Sequence, residues 1–250
     1  MEEITPEIFH KLIERMRSSK EFSQKILLKI IERMDDMLFH CKRVRIIRFD
    51  VRYPAAYKAS GSNEQIGKLM RNARSRMEAK GILFHYVVTR EQGESANPHY
   101  HVLALLDYKK KRNSFSLCKD IEADWLKILD WLKQNCIHRC KANPSLLIRP
   151  STLEDLEGSG LMWYYLKVLK YAAYIAKIES KSNRPKYIRD YLCSPLFKRH
   201  TMSNPRIQSV LEKNSWLSGV LPTLKYRPEY FPLSRVKPVK ATPRKPHRRD

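Results

Sequence analysis

Two histidines separated by a single residue, His99 and His101, open the apolar run HYHVLALLD at 99–107. On a strand, residues i and i+2 project to the same face, so both imidazoles can reach one ion. Neutral imidazole suits Zn, Mn, Fe, Co or Ni, and an added carboxylate and water widen the choice toward Mn and Mg. Glu91 stands upstream, at the end of ILFHYVVTRE (82–91). If the two runs pair as an antiparallel hairpin across QGESANP, Glu91 lies opposite the histidine end and can be a third ligand; Gln92 and Glu94 are nearby rivals. Two histidines and one carboxylate leave positions open, as a catalytic metal requires. An HxH pair alone is also common on half-exposed strands that hold nothing. Leu103, at the next alternate position, argues against a three-histidine hydrolase, and VLALLD lacks the glutamate of a cupin-like site.

The charge says what such a site would meet. The 250-residue chain carries 49 Lys+Arg against 26 Asp+Glu, a formal net charge of +23. A folded enzyme acting on a neutral small molecule has no need of that field, whereas a polyanion does, and nucleic acid is the commonest one.

A second chemical candidate is YAAYIAK (171–177). Tyr171 and Tyr174 are i, i+3 neighbours and Lys177 comes one turn later, so on a continuous helix the three share roughly one face. A phenol is a poor nucleophile at its ordinary pKa of about 10. A divalent ion that polarises a phosphodiester, with a lysine cation nearby, makes its attack feasible. The product is a 5′-phosphotyrosine and a free 3′-hydroxyl, and the retained bond energy allows rejoining. Core packing on an amphipathic helix is the competing reading, evenly balanced for Tyr171; Tyr164 and Tyr165 read as core.

The elements that must position these groups follow from periodicity. Ile8, Phe9, Leu12, Ile13 and Met16, then Ile26, Leu27, Ile30, Ile31 and Met34, recur at helical spacing and predict an N-terminal helical hairpin packed on the main domain. RVRIIRFDVRY (43–53) alternates, with Ile47, Phe49, Val51 and Tyr53 on one face and Arg48, Asp50 and Arg52 on the other, which predicts a half-buried strand. Residues 63–81 predict a helix stopped by Gly81. Strands at 82–91 and 99–107, a helix at 117–137, a short strand in 144–151 and a helix at 161–180 complete the order. Strands that do not alternate strictly with helices predict an α+β fold built on a central antiparallel sheet. The five cysteines form no disulfide framework, and CIHRC (136–140) reads as buried, helix-end thiols. The N-terminus is unlike a signal peptide and no apolar run reaches membrane-span length, so a cytoplasmic protein with no membrane partner is expected.

HxH on a strand, an acidic residue before it and Tyr-x-x-Lys on a later helix, all in a basic chain, resemble the HUH endonucleases: rolling-circle initiators, conjugative relaxases and single-strand transposases. EQGESANPHYHVLALL is similar to the metal-site segment of parvovirus replication proteins. With REQ, PHYHVLALLD, AAYIAK and KSNRPKYIRDY, residues 40–195 most resemble the replication proteins of filamentous bacteriophages and related enterobacterial prophage proteins. The resemblance implies His99, His101 and Glu91 as ligands of Mg²⁺ or Mn²⁺, Tyr174 as nucleophile and Lys177 as its partner, with Tyr171 a possible second nucleophile. It implies a sheet whose metal face meets single-stranded origin DNA. The threonines usual on the family's first strand are absent from RIIRFDVRY, where Arg48, Asp50 and Arg52 stand instead.

The expected organisation is a helical extension (1–40), an HUH-type nuclease domain (41–221) and a proline-rich cationic tail (222–250) that is disordered and adds affinity for phosphate backbones. With no GxxxxGK[ST] motif, the chain would rely on a host helicase and polymerase. The competing functions are a DNA-binding prophage regulator without catalysis, a single-strand transposase or relaxase, and an RNA-binding basic protein. Metal-dependent cleavage separates the first and last from a nickase.

Overall fold

RVRIIRFDVR forms β1 (Arg43–Arg52), and its surroundings set the architecture. The computed structural model describes residues 15, 21–41, 43–92, 97–110, 114–132, 135–140, 146–148, 161–178 and 187–197. Around β1 the elements run α1 (Gln24–His40), α2 (Glu64–Ala79), β2 (Phe84–Glu91), β3 (His99–Asp107) and α3 (Ser114–Leu129). Then come β4 (Ile137–Arg139), β5 (Leu146–Ile148), α4 (Leu161–Ala173), a 3₁₀ turn (Tyr174–Ala176) and β6 (Tyr191–Cys193). The strands form one sheet in the order β4-β1-β3-β2-β6, with β5 also on β1, and every pairing is antiparallel. The fold is α+β, as the element order predicts.

Both faces of the sheet are covered. Val44, Ile46, Val87, Leu103 and Leu105 pack against α1 and α4. Phe49, Val51, Val88, Val102 and Ala104 pack on the opposite face against α2 and α3. Burial on both faces explains why FHYVVTRE is buried along its whole length up to Glu91. Ile26, Leu27, Ile30, Ile31 and Met34 of α1 are all buried, so this helix supplies part of the core. Apart from Arg15, the first helix of the expected hairpin lies outside the described residues, as does the 222–250 tail.

Helix ends follow their chemistry. Gly81 takes φ 65° and closes α2 with Gly81 N–H to Glu78 O and Ile82 N–H to Met77 O, a Schellman arrangement. The helix expected over 117–137 stops at Leu129. Asp130 adopts φ 50° there, and Trp131 N–H returns to Leu126 O at 2.9 Å. The chain then reverses into β4, so Cys136 and Cys140 flank a strand instead of a helix end; all five cysteines are free. The helix expected over 161–180 ends at Ala173. β1 also departs from simple alternation. Its second face is apolar at Val44 and Ile46 under the helices, and polar only from Arg48 onward.

Candidate metal centre and tyrosine turn

The hairpin register builds the site. Glu91 stands directly opposite His99, and Thr89 opposite His101. On the other side of β3, Asp50 faces His101 and Arg52 faces His99. Directly paired residues share a face, so this face carries the rows Glu91–His99–Arg52, Thr89–His101–Asp50 and Val87–Leu103–Arg48.

Among the described residues, Glu91, His99 and His101 form the group able to hold an ion, each offering a ligand atom, all within 4.8 Å of one another. Glu91 Oε2 lies 3.2 Å from His99 Nε2 and also contacts His101 Nε2. Gln92 is turned away: its Oε1 accepts from Arg90 Nη2 at 2.6 Å. Glu94 lies outside the described residues.

His101 Nδ1 donates to Asp50 Oδ1 at 2.6 Å. Burial disfavours the imidazolium, but the hydrogen bonds to Asp50 and Glu91 outweigh it and raise the His101 pKa. For His99 burial wins over the Glu91 charge, and the pKa is lowered. Asp50 is buried, yet its bond to His101 and the charges of His101 and Arg52 hold its pKa below the usual value.

Tyr174 opens the 3₁₀ turn that ends α4. Its ring stands edge-on to the His101 ring with centroids 6.1 Å apart, and the residue is 44% exposed. The Arg48 guanidinium carbon lies 4.1 Å from the Tyr174 ring centroid and 4.8 Å from that of Tyr171. Tyr171 Oη, in contrast, is buried with no hydrogen-bond partner among the described residues. Burial pushes the Tyr171 phenol up to about 12, Arg48 opposing.

Lys177 does not continue the helix face expected from i, i+3 spacing. It has φ −55° and ψ 139° and forms a β-bridge with Phe22, flanked by Ser23 N–H to Ala176 O and Ile178 N–H to Glu21 O. The segment before α1 therefore anchors the tyrosine turn. Lys177 Nζ still lies 5.4 Å from the Tyr174 ring centroid. Tyr165 is core, its hydroxyl donating to Asp35 Oδ1 at 3.0 Å.

Sequence reasoning left Asp50 and Arg48 without a role. The signal was there, three polar residues alternating on β1, but which one meets His101 depends on the β1–β3 register.

The family model for the YagK/YfjJ C-terminal domain matches residues 5–189. The chain belongs to that family. The YagK/YfjJ match takes in α1, strands β1 to β5 and the tyrosine turn, and ends before β6 (Tyr191–Cys193). No curated protein matches the chain. A similar solved structure is the N-terminal nuclease domain of non-structural protein 1 from minute virus of mice, described as coordinating Zn²⁺ in its active-site pocket and recognising DNA at the origin of replication. It shares 12% identity over 67% of this chain and 79% of its own, at a TM-score of 0.25, too low to transfer fold or function. No described helix is long and apolar enough to cross a membrane.

Proposed function

We propose that this YagK/YfjJ-family chain is a metal-dependent tyrosine DNA endonuclease and strand-transferase of the HUH kind, which nicks single-stranded origin DNA to start rolling-circle replication. The observation that carries the reading is the exposed Tyr174 ring standing beside His101, next to a cluster of two imidazoles and one carboxylate.

The donor set fits a divalent ion. One carboxylate oxygen faces both Nε2 atoms, and the three ligand atoms lie within 4.8 Å of one another, close enough to serve one cation. Glu91, His99 and His101 would hold Mg²⁺ or Mn²⁺, which would supply polarisation of a phosphodiester and offset charge developing on it. The chain does the rest. Tyr174 Oη attacks phosphorus and forms the phosphotyrosine bond, while the bond from phosphorus to the 3′ oxygen breaks. The phenol gives up its proton and the 3′ oxygen gains one, leaving a 5′-phosphotyrosine and a primer 3′-hydroxyl. Arg48 and Lys177 place positive charge beside the tyrosine and the incoming phosphate. Tyr171, with its hydroxyl buried, is a packing residue. The +23 charge and the cationic 222–250 segment attract the DNA backbone, and a host helicase and polymerase extend the primer in the cytoplasm.

The test is to incubate the full chain with single-stranded oligonucleotides and Mn²⁺, or with EDTA, and look for an adduct that survives denaturation. An adduct with Mn²⁺ that disappears with EDTA and in Tyr174→Phe supports the reading. Binding without cleavage, indifferent to EDTA, would leave a DNA-binding protein without this chemistry.

A further inference from the structure

Asp50 has no place in the ligand set, yet it makes the closest contact to His101 on the side away from Glu91. It lies on β1 directly across from His101 and is 7% exposed. Its Oδ1 takes the His101 Nδ1 hydrogen at 2.6 Å, and Cys140 Sγ donates to the same oxygen at 3.7 Å. Both ring nitrogens face a carboxylate, Nδ1 that of Asp50 and Nε2 that of Glu91, and an ionised carboxylate only accepts, so the ion-free ring carries a hydrogen on each; a cation shared with Glu91 would replace the Nε2 proton and leave Nδ1–H on Asp50. The two strands fix both partners, so the ring is held by backbone register and not by a mobile loop. His99 has no equivalent: among the described residues its carboxylate partner is Glu91 itself.

We infer that Asp50 is the positioning residue of this centre, fixing the tautomer and direction of His101 so that Nε2 is the ligand atom. The inference rests on the metal reading of Glu91, His99 and His101. It also gives β1, where the threonines of similar proteins are missing, a defined task. A carboxylate behind a ligating imidazole raises its basicity as well as orienting it.

The experiment is Mn²⁺ titration of the full-length chain by electron paramagnetic resonance, with no DNA present. Asp50→Ala should weaken Mn²⁺ binding by roughly 10- to 100-fold, the range for such partners. Asp50→Asn should lose less, because its amide oxygen still accepts from Nδ1–H. Nitrogen-15 spectra of the wild type with Zn²⁺ should show His101 protonated at Nδ1, a readout that does not depend on any variant folding. Asp50→Ala binding Mn²⁺ within about twofold of wild type, where 10-fold or more is expected, or His101 ligating through Nδ1, would overturn the inference. His101→Ala and Glu91→Ala are titrated in parallel. If they too bind as wild type does, the metal reading itself fails; if they lose the ion and Asp50→Ala keeps it, only the role of Asp50 fails.

Discussion

The guanidinium of Arg48 lies over the ring of Tyr174, 4.1 Å from its centroid, and over Tyr171 on its other contact. Arg48 Nη1 also donates to Tyr171 O at 3.4 Å, tying β1 to the end of α4. A planar guanidinium stacks on an aromatic face in a way an ammonium does not. Such contacts are worth roughly 0.5–2 kcal/mol. Arg48→Lys should therefore slow adduct formation on Tyr174 roughly 2- to 30-fold, with Mn²⁺ affinity unchanged. Single-turnover rates and a Mn²⁺ titration check both halves. An Arg48→Lys protein as fast as wild type would show that charge alone suffices.

Tyr171 provides the contrast. Its buried hydroxyl, without a partner among the described residues, costs free energy that Tyr171→Phe removes without changing ring packing. The variant should match or exceed wild-type stability by up to about 1 kcal/mol and should still form the adduct. Denaturant unfolding and the adduct assay measure this. Loss of the adduct in Tyr171→Phe would make Tyr171 a nucleophile after all.

One proton links stability to metal affinity. The His101 pKa is raised in the folded chain. Its contribution to stability is therefore fully present below the unfolded value of about 6.5 and is lost as pH rises through the folded value. Mn²⁺ competes for the same Nε2, so its affinity should rise over the window in which that contribution disappears. The metal-free melting temperature should fall across this window more steeply in wild type than in His101→Gln. Parallel curves for the two proteins would place the proton elsewhere.

Several features of the site were legible because they are local. The period-2 placement of His99 and His101 and the short loop back to Glu91 depend on neighbouring residues, and the β2–β3 register brings them to one place. The partners Asp50 and Arg48 were not legible as such, since they reach the site through the β1–β3 register, some fifty residues away in sequence, a pairing no local pattern encodes. The early end of α4 was hidden for a similar reason. YAAYIAK contains no Gly or Pro and is rich in alanine, and the bridge to Phe22 captures Lys177 by a tertiary contact. β6 was missed because three residues on a sheet edge have no period to read.

A third histidine on the same face is structural. His85 hydrogen-bonds Asp36 Oδ2 and Ser194 Oγ, each at 2.7 Å, and all three residues are 0% exposed. The order resembles a nucleophilic triad, but the Ser194 hydroxyl is buried and accepts from Tyr86 N–H, and the Phe197 ring stacks on the His85 ring. Burial lowers the His85 pKa although Asp36 opposes this. His85→Ala removes one hydrogen bond from each of two buried polar partners and should cost about 2–5 kcal/mol in denaturant unfolding. Where the variant remains folded it should bind Mn²⁺ as wild type does; loss of the ion at unchanged stability would contradict this assignment.

The central claim is that Tyr174 becomes covalently bound to DNA. Trypsin would release YAAYIAK (171–177) as a single peptide containing both candidate tyrosines. After reaction of the full chain with a pool of single-stranded oligonucleotides and Mn²⁺, nuclease trimming and fragmentation of that peptide locate the nucleotide. The account predicts a 5′-linked nucleotide on Tyr174, absent with EDTA. A nucleotide on Tyr171 alone, or an unmodified peptide from a protein that has cut its DNA, would contradict it.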